Sequence, residues 1–548
     1  HKIIVMRNSL LLLLFFSFGI FAQAQVQIIN PSNQSNKPAE TPIRTLQDNG
    51  LEGIKVNYQF SQLYSFEKNQ DNEIYLMLNV LDFSHLQEVG LPALPTHIDL
   101  VAIPDGADYQ LIINKTKSKT YQTKPIYPAL KPAVDTEGAP EPSFEINQEF
   151  YNSDQIYPLQ SVQIIGEMKF RGIRMAMVQI CPVQYNPAKG KIFVHENISY
   201  EITFSGAEQF TNYANHTENY LNQLLNYPLN ANSWQKESEK YYAQDKGASQ
   251  TTNDSKNYII ITHSNYLAAA DSIANWKRQM GYTVEIVSGS NWTAASVKTA
   301  VHSRYDNWTP KPDYLLIIGD HQDVPAEIHL SGSYSEPFGT DLYYVCMDGS
   351  NDFVPDMAKG RISAVTAASA MLQVQKIIKY ERNPISDTSF YQNGLNCAQY
   401  QDDDNNGYAD RRFTHTSEDI RDYLISKGYN SQRIYYTDNS VYPVNYNQGY
   451  YSNGQAIPSV LSKSNNFNWS GGAADITNSI NAGKFLVFHR DHGYTGGSGW
   501  AHPYYVNSSI SGLNNGDKLP IVFSINCHTG EFTQNSCFAE TFMRKANA

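Results

Sequence analysis

Cysteine is scarce in this sequence: Cys181, Cys346, Cys397, Cys527 and Cys537 are the only five in 548 residues. The number is odd and the positions lie far apart, which excludes a disulfide scaffold and leaves at least one thiol unbridged within the chain. No Cys-x-x-Cys spacing occurs, so a structural zinc ribbon has no support either. Charge is sparse as well. Only 17% of residues are charged, the formal net charge is -12, and no Lys/Arg block appears anywhere, which argues against a nucleic-acid partner. Long apolar runs are missing with one exception, Leu10 to Phe21, which follows Met6-Arg7-Asn8 and precedes the small residues of Ala22-Gln23-Ala24. That run is too short to span a bilayer comfortably and reads as a cleaved export signal over residues 1–24, with His1 to Val5 unlike a natural start. No membrane span is expected after its removal.

What is present is a folded composition. At 41% hydrophobic the chain can bury substantial cores, and its length calls for two or more domains. From Gln25 to about Gly206, short alternating runs such as Lys191-Ile192-Phe193-Val194-His195 are separated by Pro, Gly and Asn turns, predicting an all-β sandwich or barrel. The stretch from Gln235 to Asn257 is polar and nearly devoid of apolar residues, so it reads as a linker and processing region, with Lys236, Lys240, Lys246 and Lys256 as candidate scissile positions. Beyond it, strands at Tyr258 to Thr262, Thr283 to Val287 and Tyr314 to Ile318 alternate with helical patterns at Leu267 to Met280 and Ala294 to Tyr305. Similar units follow to the C-terminal end. This alternation predicts α/β architecture, a parallel sheet covered by helices, and no internal sequence repeat is visible.

Two strand-like runs stop at chemically capable residues: Phe485-Leu486-Val487-Phe488-His489-Arg490-Asp491-His492-Gly493 and Ile521-Val522-Phe523-Ser524-Ile525-Asn526-Cys527. Reactive groups in open α/β sheets collect beyond the carboxyl ends of strands. Cys527 is therefore the candidate nucleophile and His492 its acid/base, with backbone N–H groups of Gly493 and Cys527 as an oxyanion hole. Buried packing is the ordinary fate of a lone cysteine or histidine, and His489 and Cys537 compete for the same roles. A zinc hydrolase is disfavoured, because His489-x-x-His492 is not the spacing of two helical ligands with a general-base Glu. Asp348-Gly349-Ser350-Asn351-Asp352 and Asp402-Asp403-Asp404-Asn405-Asn406-Gly407 cluster oxygens around glycine turns, as calcium loops and plain solvated loops both do.

Several motifs occur together in one order. Gly319-Asp320-His321-Gln322-Asp323-Val324-Pro325, Gly360-Arg361-Ile362-Ser363, Tyr380-Glu381-Arg382-Asn383, His492-Gly493, Cys527 and Cys537-Phe538-Ala539-Glu540 resemble the gingipain-like cysteine peptidases over about Asn257 to Ala548. Gly90-Leu91-Pro92-Ala93-Leu94-Pro95, Ala102-Ile103-Pro104, Arg171-Gly172-Ile173-Arg174 and Pro182-Val183-Gln184-Tyr185-Asn186-Pro187 are similar to that family's β-rich propeptide. The resemblance implies a caspase-like, mostly parallel sheet flanked by helices, preceded by an all-β propeptide domain. It divides the chain into a propeptide at 25–235, a linker at 236–256 and a catalytic domain at 257–548, incomplete because the family continues with further strands and an immunoglobulin-like domain. The implied activity is that of a secreted cysteine endopeptidase zymogen acting on proteins and peptides, with its own propeptide as partner. A gingipain-like transpeptidase of protein secretion and a non-catalytic surface module are the alternatives.

The family's acidic partner of the histidine falls at Asp402, where a Glu is usual, with Asp403 or Asp404 near enough to substitute. The acidic residue of the arginine-selective pocket falls at Asp410, and Asn526 stands where the family usually has Ala. The chemistry requires no cofactor. A structural calcium ion is implied by the family's habit, with Asp348, Asp352 and Asp403 as its candidate ligands.

Overall fold

The computed structural model describes residues 27–29, 40–114, 117–132, 142–207, 209–210, 227–234, 236, 256–308, 311–330, 337–350, 352–447, 454–494, 496–534 and 536–546. The export signal at 1–24 and nearly all of the 236–256 linker, Lys240 and Lys246 included, lie outside the described residues. Among those described, no helix is long and apolar enough to cross a membrane.

The N-terminal part is a β-sandwich. Its longest strand, Lys191–Ser205, pairs antiparallel with Gly53–Gln59 on one side and with Asp108–Ile113 and Lys117–Gln122 on the other. Alternate residues Ile192, Val194, Ile198, Tyr200 and Ile202 point inward, as a period of two requires, and meet Val101, Val178 and Ile180 of the facing sheet. Between the sheets the buried Asp99 carboxylate accepts from the Tyr58 and Tyr200 hydroxyls, at 2.9 and 2.6 Å, and from Arg44. Against the opposing effect of burial, His97 at 3.4 Å, Tyr200 and Tyr58 hold the acid below its usual range.

The C-terminal part contains two four-stranded sheets, each wholly parallel. In the first, β1 (Lys256–His263) is flanked by β2 (Tyr282–Gly289) and β3 (Tyr314–Ile318), with β4 (Ala358–Ile362) outside β3. Helices α1 (Leu267–Gln279), α2 (Ala294–Asn307) and α3 (Ala367–Arg382) connect and cover them. Both faces are buried: Ile259 and Ile261 pack with Val297 and Val301 of α2, while Ile260 packs with Ala270 and Ile273 of α1. That is why these strands read as unbroken apolar runs rather than alternations. The second sheet places β5 (Asn393–Gln399) between β6 (Asn430–Tyr436) and β7 (Leu486–Arg490), with β8 (Ile521–Ile525) outside β7. Helices α4 (Phe413–Ser426) and α5 (Ala473–Asn481) belong to it, and α6 (Phe538–Arg544) follows β8.

The strand order is the same in both halves, so a repeat that no sequence identity betrays exists in topology. The sheet expected from the sequence is thus two sheets. They are joined through the segment after β8: the Ser363 hydroxyl following β4 donates to Glu540 of α6, and Arg544 reaches Asp320 after β3 at 2.9 Å.

The sandwich grips the first sheet by a hairpin turn. Arg171, at φ 49° in the left-handed region, places its guanidinium on Asp313 at 2.9 Å and on the Pro312 carbonyl at 2.8 Å, and donates its backbone N–H to Asp356.

Candidate active site

Parallel register builds this site. The last pair of β7 with β8 is Arg490 with Ile525, so His492 and Cys527 each stand two residues past it, at the carboxyl edge of neighbouring strands. The order of strands reverses at β5 and β7, which makes the crevice above them the switch point where ligands collect in open α/β sheets. Gly493 presses on the Cys527 segment: a Cβ there would lie 2.2 Å from the Cys527 carbonyl oxygen, so no larger residue fits without displacing it. The backbones of both expected oxyanion-hole residues, Gly493 and Cys527, are therefore in contact. His528 then turns the chain at φ 61°, a strained position for a residue with a side chain, next to the thiol.

The competing residues separate by environment. None of the five cysteines is in a disulfide, and Cys527 alone is partly exposed. Cys537 is buried as the N-cap of α6, and burial pushes its thiol up to about 12, away from the thiolate. His489 is fully buried and stacked on Trp500, its rings 4.1 Å apart. Its Nε2–H donates to the His502 carbonyl at 3.1 Å and its Nδ1 accepts from Asn526 at 2.7 Å, so both nitrogens are spent. Burial pushes His489 down to about 3 and keeps it neutral. Asn526, the departure from the family's Ala, thereby supports the strand end, and its Oδ1 accepts from Ser524 and Thr529.

His492 differs. Its Nε2 is bonded at 3.0 Å to Oε1 of Gln401, and its Nδ1 has no partner among the described residues. Phe413 meets the ring edge-on at 5.0 Å and fixes its plane. Asp402 is not brought to the histidine. It is buried directly after Gln401 in a different task, accepting the backbone N–H groups of Asn406 and Gly407 at 3.0 Å each, and burial raises its carboxyl above the usual range. Asp404 likewise accepts from Asn406, at 3.1 Å to its backbone and 2.8 Å to its amide. Gln401 was the residue that sequence reasoning missed: an uncharged amide beside three aspartates carries no signal of its own.

Asp403 receives the Gln401 amide N–H at 2.8 Å, and its own backbone N–H donates to Asp410 at 2.7 Å. Asp410, raised to about 6 by burial, lines a cavity of about 550 Å³ together with Asp403, Asp404 and, from the propeptide-like sandwich, Lys68 and Tyr127. Of the expected calcium ligands, Asp348 and Asp352 come together, while Asp403 lies apart, bonded to Gln401 and Asp410. Asp348 and Asp352 group with Asp356, not with Asp403. Asp352 and Asp356 each commit both oxygens to backbone N–H groups, of Asp348 and Val354 and of Arg171 and Met347, as self-stabilised loops do.

Comparison with known proteins matches residues 251–548 to the sequence model of peptidase family C25 and residues 32–229 to that of the C25 propeptide. A Lys-gingipain of Porphyromonas gingivalis is 23% identical over 98% of this chain, and gingipain R1 of the same organism is 21% identical over 92%. The chain spans 29% of the first and 46% of the second. Among solved structures, the Arg-specific cysteine proteinase gingipain R is similar at a TM-score of 0.42 and 23% identity, covering 54% of this chain and 60% of that one. A complex of pro- and mature domains of a Porphyromonas gingivalis gingipain R is similar at the same TM-score and identity, over 53% and 60%. With the peptidase model over more than half of its length and the propeptide model ahead of it, the chain belongs to peptidase family C25.

Proposed function

We propose that this chain is the zymogen of an exported cysteine endopeptidase that uses Cys527 and His492. The observation that carries the reading is the register that sets both residues the same two steps beyond a paired strand end, with His492 Nδ1 unpartnered among the described residues. Cys527 Sγ attacks the scissile carbonyl carbon, and its proton goes to His492. The backbone N–H groups of Gly493 and Cys527 stabilise the oxyanion. As the tetrahedral intermediate collapses, His492 protonates the leaving amine, giving a thioacyl-enzyme; it then deprotonates the water that releases the acid. No metal or organic cofactor enters these steps. Asp410 is assigned to recognition of a basic substrate side chain, supported by Asp403 and Asp404, which outnumber Arg411 on its side of the cavity, and by Lys68 of the propeptide-like part in the same lining.

The test uses full-length, processed protein. A peptidyl chloromethyl ketone should alkylate Cys527 selectively, Cys527→Ala should abolish cleavage of labelled casein, and a peptide library should show basic residues before the cut. Activity retained in Cys527→Ala sinks the mechanism, and a library profile without basic preference removes Asp410 from that role.

A further inference from the structure

We propose that Gln401, fixed by Asp403, is the positioning residue that sets the tautomer and orientation of His492; the inference rests on the Cys527/His492 reading. An amide presents an oxygen at one end and an NH₂ at the other, and its second partner decides which end faces the histidine. Here that partner is a carboxylate, which only accepts. The NH₂ of Gln401 therefore faces Asp403 Oδ2 at 2.8 Å, and its oxygen faces His492 Nε2 at 3.0 Å. An amide oxygen also only accepts, so Nε2 must carry the ring proton. Nδ1 is left with its lone pair, the form a general base needs.

The loop is built to hold this chain of bonds still. Asp410 N–H donates to the Gln401 carbonyl at 2.8 Å, and Asp410 Oδ2 accepts the Asp403 N–H, closing a ring around the relay. Asp402 binds the backbone of Asn406 and Gly407, fastening the turn that Asn405 makes at φ 54°. On its other side His492 abuts Phe413, over which the Arg490 guanidinium lies at 4.5 Å. The relay runs from the wall of the Asp410 cavity to the histidine, so the loop that bounds that cavity also orients the base. An amide does this without placing a full charge on the ring N–H. The negative charge sits one residue further out, at Asp403.

The test combines two readouts on full-length, processed protein: turnover of labelled casein, and the pH dependence of iodoacetamide alkylation at Cys527 followed by mass spectrometry. Gln401→Ala should lower turnover about 10- to 100-fold, because ring orientation and tautomer are released together. Gln401→Glu combined with Asp403→Asn, whose amide replaces the carboxylate that would repel the new one, keeps an acceptor at the same place and should recover most of that turnover. It should also move the acidic limb of the alkylation profile by about one pH unit, since a carboxylate on the ring N–H favours the imidazolium. Asp403→Ala should lower turnover in the same direction as Gln401→Ala, and Asp403→Asn, which retains an accepting oxygen, should restore it. A purely structural role would change melting temperature without moving the alkylation profile. Wild-type turnover in Gln401→Ala and Asp403→Ala, or an unmoved profile in the Gln401→Glu/Asp403→Asn double variant, overturns the relay while leaving the dyad standing. Failure of iodoacetamide to label wild-type Cys527 overturns the dyad, and the relay with it.

Discussion

At the scale of the residue, hydrogen-bond partners separated two buried histidines and exposure separated two cysteines. His489 and His492 lie three positions apart, yet one is locked between a carbonyl and an amide while the other keeps a ring nitrogen unpartnered among the described residues. Cys527 and Cys537 divide the same way, by exposure and by what burial does to a thiol. Gly493 is the residue on which geometry bears hardest. Gly493→Ala would put a methyl 2.2 Å from the Cys527 carbonyl oxygen, so the strand end must shift. Because displacements of about 1 Å at a reacting centre cost about 10²-fold in rate, turnover should fall by that order while the melting temperature changes little. Stopped-time casein assays beside thermal melts check this; near-normal turnover would show that the crevice relaxes freely.

At the scale of the element, the loop between β8 and α6 carries the proposed nucleophile, Cys527, and is supported in part by the first sheet. Arg361 of β4 forms a two-pronged ion pair with Asp341, at 2.8 and 2.7 Å, and donates to the carbonyls of Gly319 and Val324 at 2.8 Å each. The face of this fixed fork supports Phe532 at 4.8 Å, and Thr533 packs where only a glycine, Gly339, leaves room. A lysine cannot reproduce the planar fork or the stacking. Arg361→Lys is expected to loosen the loop, slowing alkylation of Cys527 about tenfold and costing about 2–3 kcal/mol of stability, the scale of a broken charge-assisted network. Alkylation kinetics and denaturant melts measure the two effects separately. Arg361 sits in Gly360-Arg361-Ile362-Ser363 and the two carbonyls it binds sit in Gly319-Asp320-His321-Gln322-Asp323-Val324-Pro325, segments that the sequence presented as motifs without saying that they touch.

At the scale of the whole molecule, the sandwich is bonded to the first sheet through the Arg171 turn, and Lys68 lines the Asp410 cavity from its side. Arg171 and Asp313 are both nearly inaccessible, and removing one partner of a buried pair strands the other charge at a cost of about 3–5 kcal/mol. In the unprocessed chain, on the proposed function, Arg171→Ala should therefore weaken retention of the sandwich by about 10²-fold or more and raise basal casein cleavage. Affinity between separately purified, processed parts would read this directly, and unchanged affinity would mean the hairpin turn is a passive contact. Local patterning in the sequence was enough to specify β-sandwich and βα units, because strand and helix periods are properties of neighbouring residues. It also marked Cys527 and His492 as strand-end residues. It could not reveal that the strands form two sheets of identical order, nor that Gln401 rather than Asp402 meets the histidine. Those facts depend on register and on competition among partners distant in the chain: the backbone of Asn406 and Gly407 claims Asp402, and the neutral amide before it is left facing the ring.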